Sequence, residues 1–299
     1  MGRRSMSGPG KLGAGSALGA YAALIFGMLV IGAPAQQHGI VTGLWITEAL
    51  AIALPALFVL SFAGLRPIPY LGLRRLRLRH VLVAVGVAIA NQPVVSFLTW
   101  AAHGVLPPGL VEDFDAKQRM LDAVFRASAI PMVVTVTVAA PLGEEIFFRG
   151  FALPALRHTV GPLLALLISA ALFALLHMDS VGFIGLMEIG IVLAALRWWS
   201  GSLWAAILGH AVNNGVAGTA FLLGWEDPDL PPPAWVLALG ATLFIAGVGV
   251  LVRVLRDLPE TDAEEVPGPG RGLAVTLALM WAGAVAWGAR VLIALRGSA

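Results

Sequence analysis

The chain has 299 residues, of which 59% are hydrophobic and only 12% charged, and its mean hydropathy of +0.88 leaves too little polar surface to cover a water-soluble globule. Cysteine is absent, which excludes disulfides, a thiolate nucleophile and Cys-ligated metal. The formal net charge is only +2, and the basic residues, nearly all Arg, sit in short clusters between apolar runs, a placement that points to membrane orientation rather than to nucleic acid.

Arg3, Arg4 and Lys11 precede a first apolar run, and Ala33-Pro34-Ala35 beyond it resembles a small-residue cleavage site. Many further runs follow, so no removable leader is needed and an uncleaved first span is expected. Nine runs approach the ~20 helical residues that a hydrocarbon core requires. They lie near 16–33, 42–63, 81–101, 128–150, 162–178, 182–199, 203–224, 234–252 and 273–294. Helix is the required state, because an isolated strand in lipid leaves its backbone groups unpaired. Between the runs, 65–80 is Arg-rich around a Pro-containing turn, and 111–122 has the mixed charge of a short surface helix. Residues 225–233 are acidic and Pro-rich.

The expectation is therefore an all-α fold, a polytopic transmembrane helical bundle of about 8–9 spans. It forms one integral membrane domain over 1–299, with a motif-bearing core at 128–224 and a polar linker at 257–271 before a last span at 273–294. The Arg distribution predicts a multi-pass protein of the cell membrane with a cytoplasmic N-terminus, although Arg290 and Arg296 fall on the other side if nine spans are counted. Its surroundings are membrane lipid.

Ionisable residues inside a span cost at least about 2.5–3.5 kcal/mol each and are functional candidates by default. Here they cluster in three spans, as E-E-x-x-x-R from Glu144 to Arg149, F-x-x-x-H from Phe173 to His177, and H-x-x-x-N from His210 to Asn214. Glu145 and Arg149 stand at i, i+4 with the acid first, the favourable order for a helix ion pair. Glu144 has no cation within its own helix. Glu145, Arg149 and Phe173 thus read as supporting residues, and Glu144 as the chemical one.

Gly161-Pro162 is the natural turn between the fourth and fifth spans, and the midpoint of 144 and 177 falls between residues 160 and 161. In an antiparallel hairpin, residues equidistant from the turn lie level. Glu144 and His177 are therefore expected to face one another. His210 lies eight residues beyond Ser202, about 12 Å into its span. The three are expected to meet in the cytoplasmic half of the bundle if part of 150–161 protrudes.

These three motifs, in this order on successive spans, resemble the CPBP family of intramembrane peptidases, the CAAX prenyl-protease and bacteriocin-processing proteins also called Abi. The resemblance covers about residues 128–220, and of the adjacent Asn213 and Asn214 only Asn214 fits the motif spacing. It implies an intramembrane endopeptidase acting on a membrane-associated protein or peptide. Peptide hydrolysis needs an activated water and a stabiliser for the oxyanion. Glu144 then serves as base, His177 helps to hold the water, and His210 and Asn214 donate to the oxyanion. No cofactor is needed in this scheme. The alternative is a zinc enzyme in which Glu144, His177 and His210 bind the metal and Glu145 is the base, although no H-E-x-x-H occurs.

A transporter also places acids and histidines at mid-membrane, but commonly with repeated halves, and none is visible here. A non-catalytic membrane protein that retains the motifs is a further alternative. Glu48 and Glu188 are intramembrane acids without a motif and read as packing or cavity-lining residues. Asp179 is placed at a span end, and His38, His80, His103 and His158 at solvated interfaces. Trp100, Trp198 and Trp199 read as interfacial anchors.

Overall fold

The structure is a computed structural model that describes residues 12–224, 232–258, 263–268 and 272–297. It is helical throughout its regular elements. In chain order these are α1 (Ala14–His38), α2 (Ile40–Phe62), a short α3 (Pro67–Leu71), α4 (Leu78–Val105), α5 (Pro108–Ala127), α6 (Ala129–Val160), α7 (Pro162–Leu176), α8 (Phe183–Ser200), α9 (Leu203–Leu222), α10 (Ala234–Arg256) and α11 (Gly272–Gly297). Each of the nine apolar runs becomes a helix. Seven are long and apolar enough for a full crossing; α7 has only 15 residues, and α9 carries His210, Asn213 and Asn214 among its 20. The chain is a multi-pass membrane protein. Large apolar side chains such as Phe62, Leu82 and Ile89 lie exposed on its outside, as lipid permits.

Proline shapes these helices in a repeated way. Four stretches are widened to π-type turns, at Met28–Gly32, Thr47–Ala53, Thr135–Ala139 and Ile146–Ala152. Each ends two residues before a proline, respectively Pro34, Pro55, Pro141 and Pro154. Proline has no N–H, and its ring crowds the carbonyl four residues back. The residue before it responds by donating five residues back, as in Ala140 N–H to Thr135 and Leu153 N–H to Phe148. Such widened turns recur at functional sites. Two of them flank the Glu144–Glu145 turn.

At the centre, α6 packs against α1, α2, α7 and α9, while α4 packs against α8, α9 and α10. Both α10 and α11 lie on the outside with few buried residues, and α11 covers α1 and α2. Close approach of α7 and α8 depends on Gly190, where a Cβ would stand 3.0 Å from the Ala170 backbone. The mixed-charge segment at 111–122 is part of the 20-residue α5, an amphipathic helix extending further at both ends than expected. The 225–233 loop lies outside the described residues except for its last two. In the 257–271 linker, Val266 accepts from Arg66 N–H at 2.8 Å and Glu264 pairs with Arg74 at 3.2 Å, fastening it to the Arg-rich loop.

One expectation about depth is corrected. The turn at Gly161 falls where predicted, but α6 stays helical through 150–160 and runs for 32 residues. Glu144 therefore sits about 24 Å from that turn. Ala14 N–H donates to Thr159 at 3.0 Å, so the turn lies at the N-terminal end of the bundle. The polar motifs meet in the half away from the N-terminus.

Candidate active site

Helix α6 carries the two acids on one turn, and both are buried, Glu145 completely. Glu145 Oε1 accepts from Arg149 Nη1 at 2.7 Å, the pairing that the i, i+4 spacing predicts. Arg149 is itself fully buried, and its Nη2 donates to the Gly190 carbonyl at 3.1 Å. The guanidinium carbon lies 4.3 Å from the Phe173 ring centroid, within cation–π range. Arg149 thus bolts α6 to α7 and α8 and neutralises Glu145. Glu144 is not part of that arrangement.

Both histidines turn toward Glu144 instead. His177 caps the C-terminus of α7, and its Nδ1 lies 2.9 Å from the Phe173 carbonyl. In α9, His210 Nδ1 lies 2.9 Å from Glu145 Oε1. Each Nδ1 faces an acceptor and so carries a proton. That leaves each Nε2 directed at Glu144, His177 at 4.0 Å from Oε1 and His210 at 3.8 Å from Oε2. The Phe173 ring packs against both imidazoles, at centroid distances of 4.9 and 5.7 Å. The antiparallel arithmetic therefore describes the first pair well, and His210 joins them from the third motif.

Asn214 is tied elsewhere. Its amide donates to the Val136 carbonyl at 2.9 Å. That carbonyl is orphaned by the sequence: Pro141, five residues on, has no N–H, and Ala140 donates to Thr135 instead. Asn214 supplies the missing donor and clips α9 to α6. A primary amide has a second N–H, which this bond leaves for other work. Neighbouring Asn213 accepts from Gln92 at 2.8 Å, joining α9 to α4.

The remaining polar residues sort by contact. Glu188 accepts from Asn91 at 2.9 Å, in keeping with its reading as a packing residue. Glu48 is buried and lies closer to the site than its lack of a motif suggests. Its carbonyl and Cβ would stand 2.8 and 3.0 Å from a Cβ at Gly143, so only glycine fits beside Glu144 here. Nothing in the spacing of α2 could have shown this; it arises where two helices cross. Trp198 is corrected from anchor to core: it is 5% exposed and lies against Arg157, whereas Trp100 and Trp199 remain exposed. His80 is likewise buried rather than solvated, edge-on to Trp199 at 5.1 Å.

An apolar groove of about 640 Å³ opens beside His177, lined by Leu98, Ala102, Val105, Ala174, Leu175 and Phe183 among others. It lies between the ends of α4, α5, α7 and α8.

Glu144 and the two Nε2 atoms are of the N/N/O donor types that a catalytic zinc takes, and the fixed Nδ1 protons match the support that metal-bound histidines receive, but each Nε2 faces a different Glu144 oxygen. The separations of 3.8 and 4.0 Å exceed the ~3.3 Å between ligand atoms sharing one tetrahedral zinc. Among the described residues no His, Asp and Glu side chains already converge as a metal cage. The residue types are ones that zinc accepts, and a tetrahedral site would need both Nε2 atoms to close on one Glu144 oxygen.

Neither a search of curated proteins nor one of solved structures returns a match to this chain. A scan of family models does, over a segment that holds all three motifs. Residues 126–216 match the family described as type II CAAX prenyl endopeptidase Rce1-like, in agreement with the resemblance that the motifs carry.

Proposed function

We propose that this chain is an intramembrane endopeptidase in which Glu144 activates the attacking water. The observation that carries the proposal is the facing of Glu144 by two imidazole Nε2 atoms at 3.8 and 4.0 Å. These gaps are too long for direct hydrogen bonds and suit one bridging water. Glu144 Oε2 has no hydrogen-bond partner, so it is available to accept from that water.

In the proposed reaction the water, held by Glu144 and His177, attacks the scissile carbonyl carbon while its proton passes to Glu144. The C–O bond forms and the carbonyl becomes a tetrahedral oxyanion. His210, in its imidazolium form, donates from Nε2 to that oxygen, with the second N–H of Asn214 as a further donor. Glu144 then returns the proton to the leaving amine as the C–N bond breaks. Glu145 holds the His210 ring, Arg149 holds Glu145, and Phe173 packs against both imidazoles. The apolar part of a membrane-associated substrate lies in the groove beside His177. With the N-terminus in the cytoplasm, as the Arg clusters favour, this site opens toward the other side of the membrane.

The zinc version is supported by the same donor set. Glu144, His177 and His210 would hold the ion, which would polarise the carbonyl and acidify bound water.

The test compares wild type with Glu144→Gln and His177→Ala in membranes, following peptide products by mass spectrometry. Loss of a general base is expected to cost about 10²–10⁴-fold in rate. Product patterns identical to wild type in both variants would remove the peptidase reading. Adding phenanthroline to the wild-type assay separates the two versions: unaltered cleavage excludes zinc.

A further inference from the structure

The turn that follows His177 is unusual in its backbone. Met178 has φ 47°, and it is the one non-glycine residue with left-handed backbone among those described. That conformation, common after a helix C-terminus, is normally given to glycine because a Cβ crowds the following carbonyl. A strained residue of this kind persists only where its surroundings over-determine it, and such residues gather at functional sites.

Lys117, on the amphipathic α5, supplies that determination. Its Nζ donates to the His177 carbonyl at 2.9 Å, one of the end carbonyls that a helix cannot satisfy itself. A cation there also meets the negative end of the α7 dipole. Lys117 pairs in turn with Asp179 Oδ2 at 3.3 Å, and Asp179 Oδ1 accepts from Gly182 N–H at 2.7 Å. Asp179 is largely buried, with 10% of its side chain exposed. The turn is thus held at both ends, on Met178's two sides. Helix α5 makes further contacts along its length, with Asp115 3.5 Å from His103 and, near its C-terminal end, Phe125 against Phe221 at 5.5 Å.

The consequence reaches the ring. The orientation of His177 depends on its Nδ1 bond to the Phe173 carbonyl, within the last turn of α7. Whatever loosens that turn swings Nε2 away from Glu144. We infer that Lys117, with Asp179, is a positioning residue: a latch that clamps α5 onto the end of α7 and fixes His177 for the reaction. Its catalytic consequence rests on the peptidase reading above; its structural one does not.

The experiment uses the full chain in detergent or nanodiscs, with Lys117→Met, Lys117→Arg and Asp179→Asn. Two readouts are taken, hydrogen exchange of peptides covering 174–183 and, on a cleaved substrate, kcat and KM separately. Lys117→Met is expected to raise exchange in that segment and to lower kcat about ten- to a hundredfold, with KM changed less than about threefold. Lys117→Arg, which can still donate, keeps both near wild type. Asp179→Asn falls between, since it keeps the Gly182 acceptor but loses the charge pair. Unchanged exchange in Lys117→Met overturns the latch, whether or not a substrate has been found. Raised exchange with wild-type kcat overturns the positioning role. An inactive wild type counts against the peptidase reading alone, and the exchange data then decide the latch.

Discussion

Arg149→Met tests a fully buried charge pair. The substitution preserves an unbranched side chain of similar length, yet removes the 2.7 Å pairing with Glu145, the 3.1 Å bond to the Gly190 carbonyl and the cation over Phe173. Glu145 is 0% exposed, so its carboxylate would be stranded with only His210 beside it. Removing one partner of a buried pair costs about 3–5 kcal/mol, chiefly through the charge left behind. That corresponds to a shift of roughly two to three and a half decades in the unfolding equilibrium. The measurement is reversible unfolding in mixed detergent micelles, followed by tryptophan fluorescence. The double variant Glu145→Gln/Arg149→Met removes the stranded charge while keeping an amide oxygen for His210, and should recover most of the loss. A single variant within about 1 kcal/mol of wild type would refute the reasoning. A double variant as unstable as the single one would shift the cost to the Gly190 bond and the packing around Phe173.

Two further predictions concern how the helices are fastened. Asn214→Leu leaves the Val136 carbonyl without a donor and should destabilise by about 1–2 kcal/mol in the same assay. Adding Pro141→Ala supplies the backbone N–H that Pro141 withholds, so the pair of substitutions should be less harmful than Asn214→Leu alone; equal or worse stability would contradict the orphan-carbonyl account. Gly190→Ala places a methyl group 3.0 Å from the Ala170 backbone and 3.3 Å from Arg149 Nη2. It should cost about 1–3 kcal/mol through overpacking, and wild-type stability would mean that α7 and α8 can separate without penalty.

Much of the candidate site was legible because its parts are local. Helical spacing pairs Glu145 with Arg149 within one turn, and the antiparallel count about Gly161 brings His177 level with Glu144 across a short hairpin. Both follow from the fixed rise of a helix and need no knowledge of what packs where. The site's depth was not legible, because apolar composition marks where a span can lie, not where its helix stops; α6 continues through a segment expected to protrude. Glu48 and Lys117 were not legible as neighbours of the site, since each comes from a helix distant in sequence and carries no spacing signal. The same holds for Trp198, whose position at a span end resembles that of the exposed Trp199.

By itself the sequence determined that this protein resides in lipid, that its spans are helices, and which polar residues the membrane would tolerate only for a reason. Composition and the missing solvent for backbone groups suffice for that. Tertiary structure alone decided which of those residues share a point in space. Helix rotation and crossing set that outcome: they turn both Nε2 atoms toward Glu144, send Asn214 to the carbonyl that Pro141 orphans, and bring Lys117 onto the end of α7.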